Sequence, residues 1–581
     1  MCGIFCFISK TNSISFGESF FKQCQHLLNN RGPDHAGTVT FDSRVLMCGT
    51  VLWQQGSDIT LQPVESDRFV LLFNGDLFIE RGDLSISDTQ WLLGKVTSEV
   101  ANLNDLADVF KQLKGPFSLI LLDKYSRKVY FARDSLGRNS LLLGQSNEGF
   151  IITSVTGRNT PMAFVEIPPN GIYHIDLNSD VNGINLLSWK QPENSDISSL
   201  TVEQQFLDLS WMAKDRLHNY FNYHQVLSSQ SLAEDETYDY LLNNTTISSL
   251  CDQLLKILAE SVHERISNTP NHCKQCVSSK ASCTHPRVGV LFSGGIDCTI
   301  VALLADRFVP PDVPICLLNV AFEKIIRPGN PKFRKNGSEA SAEIDWDVPD
   351  RLTGRSTWKE LQQLRPSREW HFVEINVTRK ELQNYKDRIS DLVFPLKSVL
   401  DESLGAALWF ASRGEGLVEN SEYKSTCRVM LIGSGADELF GGYSRHRVAF
   451  YRAITSKSAQ PSEDEIRAGF SHLMVELDLD WNRLPSRNLA RDDRIIGDHG
   501  VTPRTPYLQE DFISVVQSLK AEQRCYHPLG EGIGDKLTLR LCGYKLGLRM
   551  SAKLRKRALQ FGSRIADRKQ NANDSSNFLS S

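Results

Sequence analysis

The chain has 581 residues, 41% of them hydrophobic and 23% charged, with a formal net charge of −4. A chain of this length is expected to form two or more domains, each with its own core. The small net charge gives no general attraction to nucleic acid or anionic membranes, and no apolar run has membrane-spanning length. The thirteen cysteines, with no secretory signal before them, predict reduced thiols in the cytoplasm.

Residues 2–180 carry a strand-rich pattern. Helical periodicity at 16–29 and 88–100 interrupts the strands, which predicts helices packed on antiparallel sheets in an α+β arrangement. The apolar strand-like runs, separated by turn residues, lie at 69–73, 117–122, 129–132, 140–143, 150–153 and 172–175.

Cys2 becomes the first residue if Met1 is removed. Its thiol and a free α-amine would then belong to one residue, and the amine, with a pKa of about 7.7–8.0, can act as the local base for a thiol nucleophile. The alternative is an incidental cysteine with no chemical role.

Seven short motifs occur in a fixed order through this region. They are Cys2-Gly3-Ile4, Arg31-Gly32-Pro33-Asp34, Gln62-Pro63, Asn74-Gly75-Asp76, Asp88-Thr89, Gly115-Pro116-Phe117-Ser118 and Ala132-Arg133-Asp134 to Gly137-Arg138. Their order resembles the class II glutamine amidotransferase domain, which implies an N-terminal-nucleophile (αββα) fold.

The resemblance implies a role for five residues. Cys2 would attack the side-chain amide of glutamine, and Asn74 and Gly75 would form the oxyanion hole. Asp76 and Asp88 would hold the α-amine of glutamine.

Two departures from this family pattern bear on activity. The family usually has an Arg before the Gln-Pro motif to clamp the glutamine α-carboxylate, and residues 51–56 contain none. Asp76 also stands where Glu is usual. Both departures predict weak or absent glutamine hydrolysis.

Residues 181–250 are interpreted as a linker and variable segment, and apolar spacing over 247–266 predicts an amphipathic helix. Next come His272, Cys273, Cys276, Cys283 and His285, residue types that bind zinc. Because only six residues separate Cys276 from Cys283, the spacing fits no usual zinc finger. The segment is either a zinc site or an exposed loop.

Residues 251–567 show four apolar runs, at 288–292, 315–320, 370–377 and 428–432, with helical patterns between them. Strands that alternate with helices predict a doubly wound parallel sheet of the α/β class. In such sheets ligands bind beyond the carboxyl ends of the strands.

The loop after the first run is Ser293-Gly294-Gly295-Ile296-Asp297. A strand, a glycine turn and a helix N-terminus together form an anion site, because free N–H groups face the ligand. A carboxylate such as Asp297 repels phosphates unless Mg²⁺ lies between them. The alternative is an ordinary tight turn.

Further motifs extend the match beyond one loop. They are 348–355, 400–403, Gly433 to Ser444, Arg491 to Arg494, Arg504 to Leu508 and Lys556 to Ser563. With the amidotransferase motifs they resemble the glutamine-hydrolysing asparagine synthetases, whose second domain is a PP-loop ATP pyrophosphatase. Residues 568–581 are polar and are expected to be disordered.

The resemblance implies ATP and Mg²⁺ as cofactors and glutamine, aspartate and ATP as small-molecule partners. ATP would bind at Ser293, Gly294, Gly295 and Asp297, with adenine near Val320 and Gly433 and the metal between Asp297 and Asp437. The carboxylate of aspartate would attack the α-phosphorus, and ammonia from Cys2 would travel internally to the acyl-adenylate. Lys556 would neutralise phosphate charge, although a solvated basic helix is the alternative for this lysine.

Two departures fall in the second domain. Ser434 replaces the usual Glu of the Gly-Glu-Gly motif and is not a general base at neutral pH. Thr502 and Gln509 stand where carboxylates are usual.

Three hypotheses follow: an asparagine synthetase, a catalytically impaired relative that acts through binding, or another adenylating enzyme such as a tRNA-modifying one. The net charge gives the third no support. Nucleic acid and membranes are therefore not expected as partners, whereas a homodimer or a protein partner is compatible with the sequence.

Overall fold

The computed structural model describes residues 2–79, 82–178, 183–189, 194–197, 221–227, 233–279, 282–325, 344–455, 461–566 and 573–580. Within these residues no helix is both long and apolar enough to cross a bilayer. All thirteen cysteines are free thiols.

The first unit contains two antiparallel sheets. Its strands are β1 (Gly3–Ser9), β2 (His35–Phe41), β3 (Val45–Val51), β4 (Val64–Glu65), β5 (Phe69–Gly75), β6 (Phe117–Asp123), β7 (Lys128–Arg133), β8 (Leu142–Gln145), β9 (Gly149–Thr153), β10 (Phe164–Glu166), β11 (Gly171–Asp176), β12 (Ile184–Ser188) and β13 (Asn194–Ile197). Sheet A has the order β10-β8-β9-β1-β3-β2, and sheet B has the order β13-β12-β11-β7-β6-β5-β4.

The two sheets pack face to face with helices outside them. Residues of β1 alternate between two cores, because Ile4 and Ile8 face sheet B whereas Phe5 and Phe7 pack against α1 (Ser15–Arg31). On the other side, α2 (Asp88–Glu99) and α3 (Leu103–Lys111) cover sheet B. The four layers confirm the predicted αββα N-terminal-nucleophile fold.

The predicted linker 181–250 includes elements of both units. Its first part adds β12 and β13 to sheet B, so the first unit continues to residue 197. Its last part contains α4 (Tyr223–Leu227), α5 (Glu234–Asn243) and the start of α6 (Thr245–Ser267), and α5 and α6 pack on the second unit. The rest of the predicted linker lies outside the described residues.

The second unit is built on sheet C, with the order β20-β19-β18-β15-β14-β21-β22. Its strands are β14 (Val288–Leu291), β15 (Ile315–Phe322), β18 (Trp370–Val377), β19 (Glu415–Val418), β20 (Ser421–Lys424), β21 (Val429–Leu431) and β22 (Thr502–Arg504), and β16 (Lys324–Ile325) pairs with β17 (Ile344–Asp345) in a separate ribbon. Strands β18, β15, β14, β21 and β22 are parallel, whereas β19 and β20 form an antiparallel edge.

Helices cover both faces of sheet C, which confirms the doubly wound prediction. Ile315 and Leu317 of β15 face one core, and the intervening Cys316 and Leu318 face the other. The helices are α7 (Ile296–Ala305), α8 (Pro349–Leu364), α9 (Arg379–Asn384), α10 (Lys386–Val393), α11 (Val399–Arg413), α12 (Ala436–Phe440), α13 (Ser444–Tyr451), α14 (Glu463–Leu484), α15 (Ala490–Gly497), α16 (Glu510–Ser518), α17 (Ala521–Arg524), α18 (Leu537–Lys545), α19 (Leu559–Gly562) and α20 (Asn577–Ser580).

The predicted disorder of residues 568–581 is wrong for 573–580. Leu579 of α20 is buried, and Ser576 donates a hydrogen bond to Glu402 at 2.5 Å. Phe578 and Leu579 explain why this segment is ordered. The tail is polar on average, but these two adjacent apolar side chains can pack against the core.

Buried ion pairs join the two units. In each pair an arginine of one unit binds a carboxylate of the other: Arg31–Asp493 (2.8 Å), Arg138–Glu510 (2.5 Å), Arg428–Asp34 (2.8 Å), Arg494–Glu166 (2.5 Å) and Arg504–Asp76 (2.9 Å). Removing one partner of such a pair leaves a buried charge, so these contacts hold the units in one arrangement.

Candidate active sites

The predicted phosphate loop connects β14 to α7. Gly294 has a φ of +81°, and a Cβ there would lie 2.6 Å from the Thr357 hydroxyl oxygen and 2.7 Å from the main-chain nitrogen of Gly354. Only glycine tolerates both the left-handed backbone and this close approach to α8. The turn is therefore fixed by packing, and it leads directly into the N-terminus of a ten-residue helix.

A second glycine loop lies beside the first because β21 is the parallel neighbour of β14. In this loop Gly435 has a φ of +94°, and a Cβ on Gly433 would lie 3.1 Å from the Cβ of Asp297. The two loops thus contact each other at the carboxyl end of sheet C, where doubly wound folds bind ligands.

Between these loops lies a cavity of about 410 Å³, which we call the nucleotide cavity. The segment from Lys556 to Phe561 and side chains from α11 and α14 complete its wall. A volume of roughly 300–1,000 Å³ is typical of pockets for small molecules and cofactors. Among the residues predicted to bind ATP or metal, the wall includes Ser293, Gly295, Asp297, Gly433 and Asp437.

The other predicted residues occupy different positions. Lys556 and Ser434 also line the nucleotide cavity. Within the described part of the chain, Gly294 and Val320 do not: Gly294 packs on α8, and Val320 is buried in the core beneath sheet C.

Lys536 joins the two glycine loops. Its ammonium donates to both carboxylate oxygens of Asp297, at 2.8 and 2.7 Å, and lies 2.9 Å from Oδ1 of Asp437. Lys556 binds the other oxygen of Asp437. Two carboxylates and two ammonium groups therefore form one compact cluster, and Lys536 is only 1% exposed.

The charges in this cluster shift one another's pKa values. Burial opposes ionisation of Asp437, but Lys536 and Lys556 outweigh it and hold the pKa of this carboxyl well below its usual range. Burial likewise opposes the charge on Lys556, yet Asp437 and Asp297 raise its pKa. Asp437 and Lys556 are therefore both charged at neutral pH, so they can exchange partners with an anionic ligand.

Glu438 is a carboxylate of a different kind on the same wall. Burial and the adjacent charge of Asp437 raise its pKa, and the Tyr443 hydroxyl donates to it at 2.7 Å. A carboxyl group with a raised pKa in a cavity is a candidate acid or base.

The second candidate site surrounds Cys2. The main-chain nitrogen of Cys2 donates to the side-chain oxygen of Asn74 at 2.9 Å, and the side-chain amide of Gln62 donates to its sulfur at 3.4 Å. The amide nitrogen of Asn74 donates to the Ser118 hydroxyl at 3.3 Å, and Asn139 donates to the Asn74 carbonyl at 2.9 Å. The structure thus brings the predicted nucleophile and the predicted oxyanion residue into direct contact.

The pocket at Cys2 is small, and the described residues of its wall include one carboxylate, that of Asp88. Its volume is about 30 Å³, and its wall includes Gly75, Asp88 and the apolar residues Val51 and Leu52. A water needs roughly 10–15 Å³ by this measure, so the space holds only about two waters. No lysine or arginine is among the described residues of this wall, and burial raises the pKa of the Cys2 thiol.

The two predicted amine-binding carboxylates have different surroundings. Asp88 lies on the wall of the Cys2 pocket and accepts from the main-chain nitrogen of Thr89 at 2.8 Å. Asp76 is buried behind the wall, where both its oxygens accept from Arg504 at 2.9 Å and one accepts from Gln55 at 3.1 Å. A glutamine amine would have to compete with the Arg504 guanidinium for Asp76.

Three residues at these sites are absent from the sequence-based assignment: Gln62, Arg504 and Lys536. Gln62 lies in the Gln-Pro motif, but its contact with Cys2 depends on the pairing of distant segments. Lys536 lies directly before α18, whose residues Leu537 to Tyr544 are all buried. A lysine at a buried position is costly unless its charge is paired.

Comparison with known proteins finds a different family match in each unit. Residues 1–158 match the glutamine amidotransferase domain family, and residues 374–540 match the asparagine synthase family. The first segment contains Cys2, and the second contains the loop of Asp437 and Lys536 and ends before Lys556.

Three relatives are similar over most of the chain. Asparagine synthetase domain-containing protein CG17486 of Drosophila melanogaster is 38% identical, with 100% of both chains covered. Asparagine synthetase domain-containing protein 1 of Homo sapiens is 35% identical over 97% of this chain and 95% of its own. The glutamine-hydrolyzing asparagine synthetase of Gallus gallus is 23% identical over 80% of this chain and 68% of its own.

Proposed function

The chain belongs to the family of asparagine synthetase domain-containing proteins, and from this premise we propose that it is an asparagine synthetase-like enzyme. It would activate the side-chain carboxylate of aspartate with ATP and form asparagine with ammonia from glutamine. The glutamine amidotransferase and asparagine synthase domains support glutamine and ATP as substrates. We also propose a cytoplasmic location, which the free thiols favour.

The observation that carries this proposal is the nucleotide cavity, in which two glycine loops enclose a lysine–carboxylate cluster. The N–H groups at the start of α7 would face the phosphates of ATP. Lys536 and Lys556 would move from the carboxylates to the phosphates and neutralise charge as pyrophosphate leaves. The oxygen of the aspartate carboxylate would form the new bond to the α-phosphorus.

Mg²⁺ fits the donor chemistry of this cluster, since Asp297 and Asp437 supply carboxylate oxygens. When bound, the ion would neutralise negative charge on the phosphate oxygens. Asp297 and Asp437 would hold the ion, and Lys536, which contacts both carboxylates, would bind the phosphates instead.

Amide formation also requires a proton acceptor for the incoming ammonia. Ser434 cannot act as this base. Glu438 lies on the same wall, and its raised pKa makes it a stronger base than an ordinary carboxylate. We propose that Glu438 takes the proton while AMP leaves the acyl carbon.

Glutamine hydrolysis would occur at Cys2. The nitrogen that contacts Asn74 becomes the α-amine when Met1 is removed, and it would take the thiol proton during attack. Asn74 and Gly75 would supply the oxyanion donors, and Asp88 would hold the α-amine of glutamine.

One experiment tests both halves of the proposal. Purified full-length protein is incubated with ATP, Mg²⁺, aspartate and either glutamine or ammonium. Asparagine, AMP and pyrophosphate in equal amounts are expected with ammonium, and glutamate in addition with glutamine. Bound ATP without pyrophosphate release under either condition would contradict the proposal.

A second candidate function is that of a binding protein with an impaired glutaminase. The small Cys2 pocket, whose described wall contains no lysine or arginine, and the binding of Asp76 to Arg504 favour it. This candidate predicts ATP binding with no turnover of glutamine, so the same incubation distinguishes the two.

A further inference from the structure

A loop of the second unit, residues 268–287, connects α6 to β14 and lies against the first unit. The His272 ring is 5.4 Å from the Trp53 ring of the first unit. The main-chain oxygen of Asn268 accepts at 3.1 Å from Arg504 of the second unit, which in turn binds Asp76 of the first unit. The described part of the loop contains one short 3₁₀ turn, Val277–Ser279, and no α-helix or strand before β14. Few main-chain hydrogen bonds therefore fix its shape.

Four side chains of this loop converge on one point. The sulfur atoms of Cys273, Cys276 and Cys283 and a ring nitrogen of His285 all lie within 4.8 Å of one another. The Nδ1 atom of His285 is 3.6 Å from the Cys273 sulfur and 3.5 Å from the Cys276 sulfur. A tetrahedral zinc ion with ordinary bond lengths places such atoms about 3.6 Å apart.

We propose that Cys273, Cys276, Cys283 and His285 bind one zinc ion. Three thiolates and one imidazole are a donor set that zinc favours and magnesium does not. Four protein ligands close the coordination sphere, as in structural rather than catalytic zinc sites. The site is thus separate in position and chemistry from the cluster of Asp297 and Asp437.

Exposure of the ligands provides a route for the metal. Cys273 is buried, Cys276 and Cys283 are half-buried, and His285 is exposed. The ion would enter from the His285 side and contact Cys273 last.

The metal would stabilise a wall next to the glutaminase site. Asn268 to His272 line a cavity of about 430 Å³ together with Trp53, Gln54 and Gln55. These three residues of the first unit also line the Cys2 pocket. Zinc at the end of the loop would therefore fix the wall that faces the approach to Cys2.

Metal content tests the proposal directly. Full-length protein purified without chelators is analysed by elemental mass spectrometry, and we expect about one zinc per chain. Cys276→Ser and His285→Gln should each reduce zinc content by about tenfold or more, because a removed ligand opens the site. His272→Gln is the matched control, since it removes a histidine of the same loop outside the cluster and should retain zinc.

A second measurement covers the case in which a variant fails to fold. Replacement of zinc by cobalt in the wild-type protein should give the intense visible and near-ultraviolet absorption of tetrahedral cobalt–thiolate bonds. Absence of zinc and of this spectrum in folded protein would overturn the proposal. A disulfide in the loop, seen as an intact mass two hydrogens below that of the reduced protein, would also overturn it. Equal zinc content in the His285 and His272 variants would also overturn it.

Discussion

The nucleotide cavity and the Cys2 pocket differ in both volume and charge. The cavity measures about 410 Å³, and its wall includes both aspartates and one lysine of the cluster, whereas the pocket measures about 30 Å³ and has no described lysine or arginine on its wall. Charged side chains near the pocket form ion pairs with residues of the second unit instead. Asp76 binds Arg504 across the interface, and Arg31 binds Asp493.

Because of this difference, the two sites require different properties of their ligands. A ligand with phosphates can enter the cavity by exchange, because each lysine already has an anionic partner to release. A glutamine molecule must enlarge the Cys2 pocket and find a partner for its α-carboxylate. We therefore expect ATP binding to be the more robust property and glutamine hydrolysis the more sensitive one.

The largest expected effect concerns the Cys2 pocket. Cys2→Ala should lower glutamine hydrolysis by more than about 1,000-fold, because the thiol is the only proposed nucleophile. Pyrophosphate release with ammonium should persist. Cys24→Ala is the control, since burial raises the pKa of that thiol to about 12 and keeps it unreactive. Equal glutaminase rates in the Cys2 variant and the parent would refute the assignment.

In the nucleotide cavity, Lys536→Met should leave Asp297 and Asp437 without a shared cation. We expect loss of ATP affinity and a free energy of unfolding lower by about 3–5 kcal/mol. Lys545→Met is the matched control, because its half-exposed pair with Asp252 contributes about 0–1 kcal/mol. Calorimetric ATP titration and chemical unfolding measure both effects. Unchanged ATP affinity in folded Lys536→Met would remove this lysine from the proposed site.

The Asp76–Arg504 ion pair offers a test of the contact between the two units. Asp76→Asn should destabilise the protein by about 3 kcal/mol, because it leaves Arg504 buried without its counter-charge. A double-mutant cycle with Arg504→Met should recover part of this loss. If Asp76→Asn instead raises the Michaelis constant for glutamine without a change in stability, Asp76 holds substrate rather than the interface.

The same pair predicts a dependence of stability on pH. Burial opposes ionisation of Asp76, but Arg504 outweighs it and lowers the pKa. A depressed pKa adds stability above the unfolded value of about 3.9, and this contribution is lost as pH falls through the lower folded value. The difference in unfolding free energy between parent and Asp76→Asn should therefore be constant from neutral pH to about pH 5 and shrink below pH 4. A difference that shrinks near pH 6 would contradict this assignment.

The smallest expected effect separates the roles of Ser434 and Glu438. Glu438→Gln should lower ammonia-dependent asparagine formation by about 100-fold, while Ser434→Glu should raise it by about tenfold. A carboxylate base must be deprotonated, so the parent's rate should fall with acid through a pKa above the usual value of about 4.3. A rate in Glu438→Gln equal to that of the parent would exclude this residue as the base.

The fold was predictable where the pattern is local. The runs at 288–292 and 370–377 became β14 and β18, and the helix expected over 247–266 is α6. By contrast, β2 gave no comparable signal. Small and polar residues break the apolar pattern of β2, and the edge position of that strand makes such residues acceptable.

The chemistry of single segments could be inferred from the sequence alone: a glycine turn between a buried strand and a helix, a cysteine next to the N-terminus, and cysteine and histidine side chains of the kind that bind zinc near residue 280. These follow from backbone freedom, side-chain pKa and hydrophobic periodicity, which act over a few residues.

Which charged side chains contact each other depends on the tertiary structure. Lys536 binds Asp297 across 239 positions, and Arg504 binds Asp76 across 428. Such pairs depend on the order of strands in sheet C and on how the two units pack, and no local pattern encodes either. The physical reason is that a buried charge needs a partner in space, and the folded chain supplies that partner from any point along its length.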